Sequence, residues 1–400
     1  MNYLIFSFFS YLIFIPSITF SVIQAEIFPW AMIFTMLYIV KIDKRFLFIM
    51  LLILSSSIYG YYQSGGSASL QVLRSLAAYL NTTLILIFLL QTNFSLVKRL
   101  FPVVKIMFYL LIIWGFLQYF ELISFLDPFI KILIPRGNAD SLAFFNRGVT
   151  LLSSEPSRAS YEFLFIYVAY RTIFLDRKNY FGFDCFITMF ILFIIKSATG
   201  LVLLFVFFII FYRLKFIVSA FLLAVVATPF LEQLSGRSFE LIMVLLTSNS
   251  LESIYQVMLN LSGFRLISIM ASIQYGFHEF FGGGIGNWEL SSLQALNLTG
   301  YNPQEISYFQ DISDGQWVSL RPTSYFAALM LDTGIFGTFI IAYYLYIVLR
   351  KFFKIDTNSK AIILLFLFYL IMVGSVGNPV PFIATAIALT YLYTKNLEID

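Results

Sequence analysis

Apolar runs of about 15 to 25 residues alternate with short polar stretches along most of the chain, and about 20 helical residues cross the hydrocarbon of a bilayer. The runs cover roughly 3–22, 26–40, 46–61, 76–92, 102–120, 158–175, 181–196, 199–212, 216–231, 323–348, 360–376 and 380–394. They predict an all-α polytopic membrane protein of about 12 transmembrane helices, with residues 1–400 as a single integral membrane domain. No fixed-period repeat or low-complexity segment interrupts the pattern. Two polar intervals are long: 121–157, and 232–322 between the ninth and tenth helices. Within the second, Ser262 to Phe280 carries apolar residues at helical spacing, which predicts a helix lying at the membrane surface.

Composition sharpens the class. The chain is 60% hydrophobic and 12% charged, with 48 Phe and 25 Tyr, and its mean hydropathy is +0.88. A soluble domain carries about twice that share of charge. The net charge of +4 is uninformative by its sum, and nothing suggests nucleic acid. The single cysteine, Cys185, excludes an intrachain disulfide, and the lack of any Cys/His cluster predicts no metal site and no cofactor. No basic residues precede the first apolar run, so it is expected to be a retained span and not a cleaved signal.

The location of basic residues sets an orientation. With the N-terminus cytoplasmic, Lys41, Lys44, Arg45, Lys98, Arg99, Lys105, Arg171, Arg177, Lys178, Arg213, Lys215, Arg350, Lys351, Lys354, Lys360 and Lys395 fall inside, 16 of the 25. Both termini are therefore expected in the cytoplasm. The exceptions are Arg74, Lys131, Arg136, Arg147, Arg158, Lys196, Arg237, Arg265 and Arg321. Seven of these nine are arginine, whose planar fork suits phosphate or carboxylate oxygens. The plainer alternative is that they pair with outer acids or reach lipid headgroups.

Three polar stretches carry candidate chemistry. RGVTLLSSEPSRASYE, from Arg147 to Glu162, ends in a helix start with Pro156 at its first position and Ser154 or Glu155 as cap. Arg158 and Glu162, four apart, share a face. Arg321-Pro322-Thr323 repeats the device, and Asn378-Pro379 suggests a third helix start. All three would aim positive dipole ends at the outer face, an arrangement suited to an anion. FGGGIGNW lacks the Gly-Lys-Ser/Thr of a nucleotide loop; Gly284 and Gly286 are either a flexible turn or backbone donors to a ligand. His278 is the only histidine, with Glu279 beside it to orient it. Glu155, among Arg147 and Arg158, is a candidate for orienting a substrate hydroxyl and taking its proton late in the transition state, or simply an ion-pair partner.

Taken together, these stretches resemble the O-antigen polymerase and ligase superfamily. RGVTLLSSEPSRAS is similar to its Arg…Gly…Glu-Pro-Ser…Ala segment, SGFRLISIMASIQYGFHEFFGGGIGNW to its Gly-Arg…Gly-x-Gly segment, and RPTSYFAALMLDTGIFG to the segment ending Gly-x-x-Gly. The resemblance covers Arg147 to Gly337 and implies a GT-C-like fold in the bacterial inner membrane with its active face periplasmic. It implies transfer of a glycan from polyprenyl diphosphate to a sugar hydroxyl, inverting and metal-independent. Partners would be polyprenyl-diphosphate-linked oligosaccharide repeat units, the lipid bilayer, a chain-length regulator and a flippase. By resemblance Arg147, Arg158, Arg265 and Arg321 bind diphosphate or sugar and Glu155 orients them. Arg136, Arg237, Gly284, Gly286 and Thr323 complete the expected substrate site. Ligases begin the last motif with His-Asn or His-Ser, whereas Thr323 and Ser324 stand here. That departure favours a Wzy-type polymerase over a ligase that transfers polymer to lipid A core. A lipid-linked oligosaccharide flippase or exporter is the rival from another class. It would show polar residues deep in several spans.

Overall fold

Wherever the structure describes an apolar run, that run contains a helix. The computed structural model describes residues 3–19, 26–39, 44–92, 94–134, 148–212 and 264–397. The ninth run, 216–231, and Arg136, Arg147 and Arg237 lie outside the described residues. The helices are α1 (Tyr3–Leu12), α2 (Trp30–Tyr38), α3 (Lys44–Gln63), α4 (Ser69–Gln91), α5 (Phe94–Tyr119), α6 (Asp127–Leu133), α7 (Pro156–Phe174) and α8 (Tyr180–Met189). They continue as α9 (Ala198–Tyr212), α10 (Phe264–His278), α11 (Trp288–Leu298), α12 (Ser307–Ser313), α13 (Tyr325–Phe353), α14 (Thr357–Met372) and α15 (Val380–Leu397). Among the described residues all regular structure is helical.

Among the described residues, four of the helical segments are long and apolar enough to cross a bilayer: α4, α5, α13, and Arg177–Ile195, in which α8 continues as a π-helical turn over Phe190–Ile195. Leu47–Gln63, α9 and α14 are apolar but shorter. At 1.5 Å per residue α1 and α2 rise only about 15 Å, roughly half the hydrocarbon thickness. The reason is local. The first helix ends at Leu12 and the chain turns at Pro16, whose carbonyl accepts from the Phe28 N–H at 2.9 Å, so α1 stops well short of the end of the first apolar run. Exposed apolar side chains line α3 (Leu47, Phe48, Leu51, Ile58) and α13 (Phe336, Phe339, Tyr343), an outer surface suited to lipid. Lengths, composition and apolar exterior together are those of a membrane protein.

Two helices form the centre. Every residue of α15 from Val380 to Thr390 is buried, as is α7 from Ala159 to Arg171, and the two pack on each other. Helices apolar all round belong inside a bundle. α4, α5 and α14 enclose α15, while α5 and α9 enclose α7. Phe108 of α5 stacks on Tyr170 of α7 with centroids 4.1 Å apart. A second, smaller core joins α10, α11 and α12 to α13 through Ile267, Ala271, Tyr275, Leu296, Phe309 and Leu331. The helix expected over Ser262 to Phe280 thus exists as α10, and its buried stripe faces α13 and α11.

At the C-terminal end of α7, Arg171 donates from Nε and Nη2 to the two carboxylate oxygens of Asp184, at 3.1 and 3.2 Å. Tyr167 and Tyr212 also donate to Asp184, and the guanidinium carbon lies 3.8 Å from the ring centroid of Tyr180. Beside it is a cavity of about 370 Å³, lined by Arg177, Tyr180, Phe181 and Asn358 among others. The polar starts of α7 and α15 meet instead at the N-terminal end of α7, roughly 20 Å away along the helix.

Candidate active site

α7 begins as its sequence dictates. Pro156 occupies the first helical position, where a missing N–H costs nothing, and Glu155 stands before it in extended conformation. Glu155 does not cap with its side chain; its Oε2 accepts from Ser157 Oγ at 3.1 Å and faces Arg265 Nη2 at 3.7 Å. Arg265 lies at the start of α10, 110 positions along the chain, and also donates to Thr199 Oγ1 of α9 at 3.1 Å. The two polar intervals therefore meet at this ion pair. Both partners are more than a third exposed.

One turn into α7, Arg158 donates from Nη1 to Ser154 Oγ at 2.5 Å and from Nη2 to Glu26 Oε2 at 2.7 Å. Glu162, on the same face and buried, accepts from Asn378 Nδ2 at 2.6 Å and from the Ser153 hydroxyl. Asn378 in turn accepts from the Val380 N–H at 3.1 Å and so caps α15. The starts of α7 and α15 are thereby tied through one carboxylate.

The start of α13 lies nearby but not where Pro322 suggested. Ser324 is the cap, accepting from the Ala327 N–H at 3.2 Å and donating to the Ile371 carbonyl at 2.5 Å. A serine already fixed by the end of α14 sets the helix start, and Pro322 and the half-buried Thr323 remain on the preceding turn. The Gly374 Cα, in the link from α14 to α15, packs against the side chain of Tyr325. Three helix starts thus gather in one region, with their positive ends.

Arg321 belongs to a separate cluster. Its Nη2 is 3.8 Å from Oδ2 of Asp332, which accepts from the Tyr79 hydroxyl at 2.8 Å. Asp332 precedes a break in α13 at Gly334, whose φ of 61° and ψ of −171° are open to glycine alone. The break frees two carbonyls, and the Gly-rich loop supplies their donors: Gly283 N–H to Leu331 O at 2.8 Å and Gly284 N–H to Asp332 O at 2.9 Å. A Cβ on Gly284 would stand 2.3 Å from the Gly60 Cα, so the loop is wedged on α3, while Gly286 sits equally tightly on Val72 of α4. The expectation that Gly284 offers its N–H to a ligand is corrected: that donor is already committed.

His278 is also displaced from the expected site. It ends α10, about 20 Å along the helix from Arg265. Its side chain is 64% exposed, with Glu279 at 3.2 Å. Tyr275, one turn earlier, donates to Gln294 at 3.0 Å; burial, then the charge of Glu279, pushes its hydroxyl up to about 12. Of the expected residues, the structure brings together Glu155, Arg158 and Arg265, keeps Arg321 and Thr323 at a neighbouring helix start, and sets His278 apart. The sequence reading passed over Glu26, Asn378 as a ligand of Glu162, Thr199 and Asp332. Asp332 alone had a legible signal, a carboxylate within an apolar run.

No family model, curated protein or solved structure matches the chain. The resemblance rests on the short motifs alone.

Proposed function

We propose that the protein is a surface-polysaccharide polymerase of the O-antigen type, a 12-span enzyme of GT-C-like fold in the bacterial inner membrane. It would move a growing glycan from polyprenyl diphosphate onto the terminal sugar hydroxyl of a lipid-linked repeat unit. The observation that carries the reading is the meeting of Glu155 and Arg265, from two distant polar stretches, beside Arg158 and the starts of α7 and α15. A departing diphosphate develops negative charge, and fixed guanidinium groups and helix N-termini stabilise it without reorganising. Arg158 and Arg265 are the residues we assign to the diphosphate, with Glu155 and Glu26 holding them. Arg147 would join them from the same motif. Glu155 would orient the acceptor hydroxyl.

The arginines and carboxylates of the candidate site gather at helix starts, which supports surface chemistry over an exporter. The test is a product assay. Purified protein in nanodiscs receives the lipid-diphosphate-linked repeat unit alone, with EDTA, and a ladder of longer lipid-linked glycans is expected. Transfer only after addition of lipid A core would make it a ligase, and no product in either case would return the question to transport.

A further inference from the structure

The fork edge of Arg321 makes no hydrogen bond to the described residues. Nε and Nη2 are both shielded from solvent and make no hydrogen bond. The Asp332 carboxylate beside them is 3.8 Å away, beyond hydrogen-bond reach, and its second oxygen, Oδ1, is buried and equally bare. Asp332 is 1% exposed and held by Tyr79; Arg321, on the turn before α13, is 29% exposed. Ser75 Oγ, one turn before Tyr79 on the same face of α4, also lacks a partner. Buried polar atoms in native proteins are nearly always paired, with protein or with water, so adjacent open donors and an open acceptor suit a ligand that offers both.

That requirement selects the ligand class. A phosphate oxygen could accept from Arg321 but would set its charge against Asp332. An ammonium group could donate to Asp332 but not accept from Arg321. A hydroxyl does both, and neighbouring hydroxyls on a pyranose ring present acceptors and donors a few ångströms apart. We propose that Arg321 and Asp332 form a subsite for a neutral sugar of the glycan, not for the diphosphate. Vicinal hydroxyls accept from Nε and Nη2 of Arg321 and donate to Oδ1 of Asp332, atoms that become reachable when the partly exposed Arg321 side chain swings aside. The inference rests on the polysaccharide reading and divides its labour: diphosphate at Arg158 and Arg265, sugar at Arg321.

The experiment is binding to the full chain in nanodiscs, followed by calorimetry or saturation-transfer NMR. Two probes are used: lipid-free oligosaccharide released from the source organism's surface polysaccharide, and inorganic diphosphate. Asp332→Asn and Arg321→Gln are each expected to weaken oligosaccharide binding roughly 10- to 100-fold, the loss of one charge-assisted hydrogen bond. Neither should alter diphosphate binding, which Arg265→Ala should weaken. Arg321→Gln, on a partly exposed turn, keeps the test open if Asp332→Asn lowers the melting temperature. Unchanged oligosaccharide binding in both variants, no oligosaccharide binding by the wild type, or loss of diphosphate binding instead would each overturn the subsite. A wild type that binds oligosaccharide through these residues but forms no ladder would defeat the polymerase reading and leave the subsite standing.

Discussion

Two ends of α7 each hold an arginine beside a carboxylate, and they are finished differently. Arg171 is 6% exposed, doubly bonded to a fully buried Asp184 and flanked by aromatic rings, and two tyrosines complete the carboxylate. At the other end Arg265 faces Glu155 at 3.7 Å with both partly exposed, and in the separate cluster before α13 Arg321 makes no hydrogen bond to its carboxylate. The buried, fully bonded pair can hold helices together, whereas Arg265 and Glu155, each more than a third exposed and 3.7 Å apart, hold little and stay open to solvent.

The contrast can be broken most forcefully at the saturated end. Asp184→Ala strands a buried guanidinium and should cost about 3 to 5 kcal/mol, read as a large fall in thermal midpoint in detergent. Retention of wild-type stability would show that Arg171 finds water. Gly334→Ala comes next: a Cβ there would lie 2.3 Å from the Phe280 carbonyl at a φ of 61°. A loss of roughly 1 to 3 kcal/mol is expected, with activity falling because Asp332 sits two residues away. Ser324→Ala removes the cap of α13 and should cost about 1 kcal/mol by denaturant unfolding. Arg265→Ala should do the reverse of Asp184→Ala. Its stability should change by less than about 1 kcal/mol, while ladder formation slows roughly 10- to 100-fold through a lost charged contact. Equal losses in stability and rate would erase the distinction. His278→Ala should be smallest, within roughly twofold in rate; a larger drop would restore the histidine to the chemistry.

Which features were legible depended on how local their causes are. Pro156 and Glu155 state the start of α7 within three residues, and Asn378-Pro379 marks that of α15, because capping is written in adjacent positions. The start of α13 was misread because Ser324 is fixed by carbonyls 46 and 47 residues away, not by Pro322 next to it. The meeting of Glu155 with Arg265 was suggested by charge and side but depends on tertiary packing. Glu26 joins Arg158 across 132 positions, and nothing near Glu26 in the chain announces it. The role of the Gly-rich loop was hidden for a similar reason: its donors serve carbonyls freed by a glycine about 50 residues later.

That last arrangement bears on how the protein is built. The interrupted α13 carries two carbonyls that hydrocarbon could not satisfy, each costing several kcal/mol if left facing lipid. Their donors, Gly283 and Gly284, come off the ribosome before α13 does. The chain thus carries, upstream of the interrupted helix, the very donors that make its break compatible with an apolar surround.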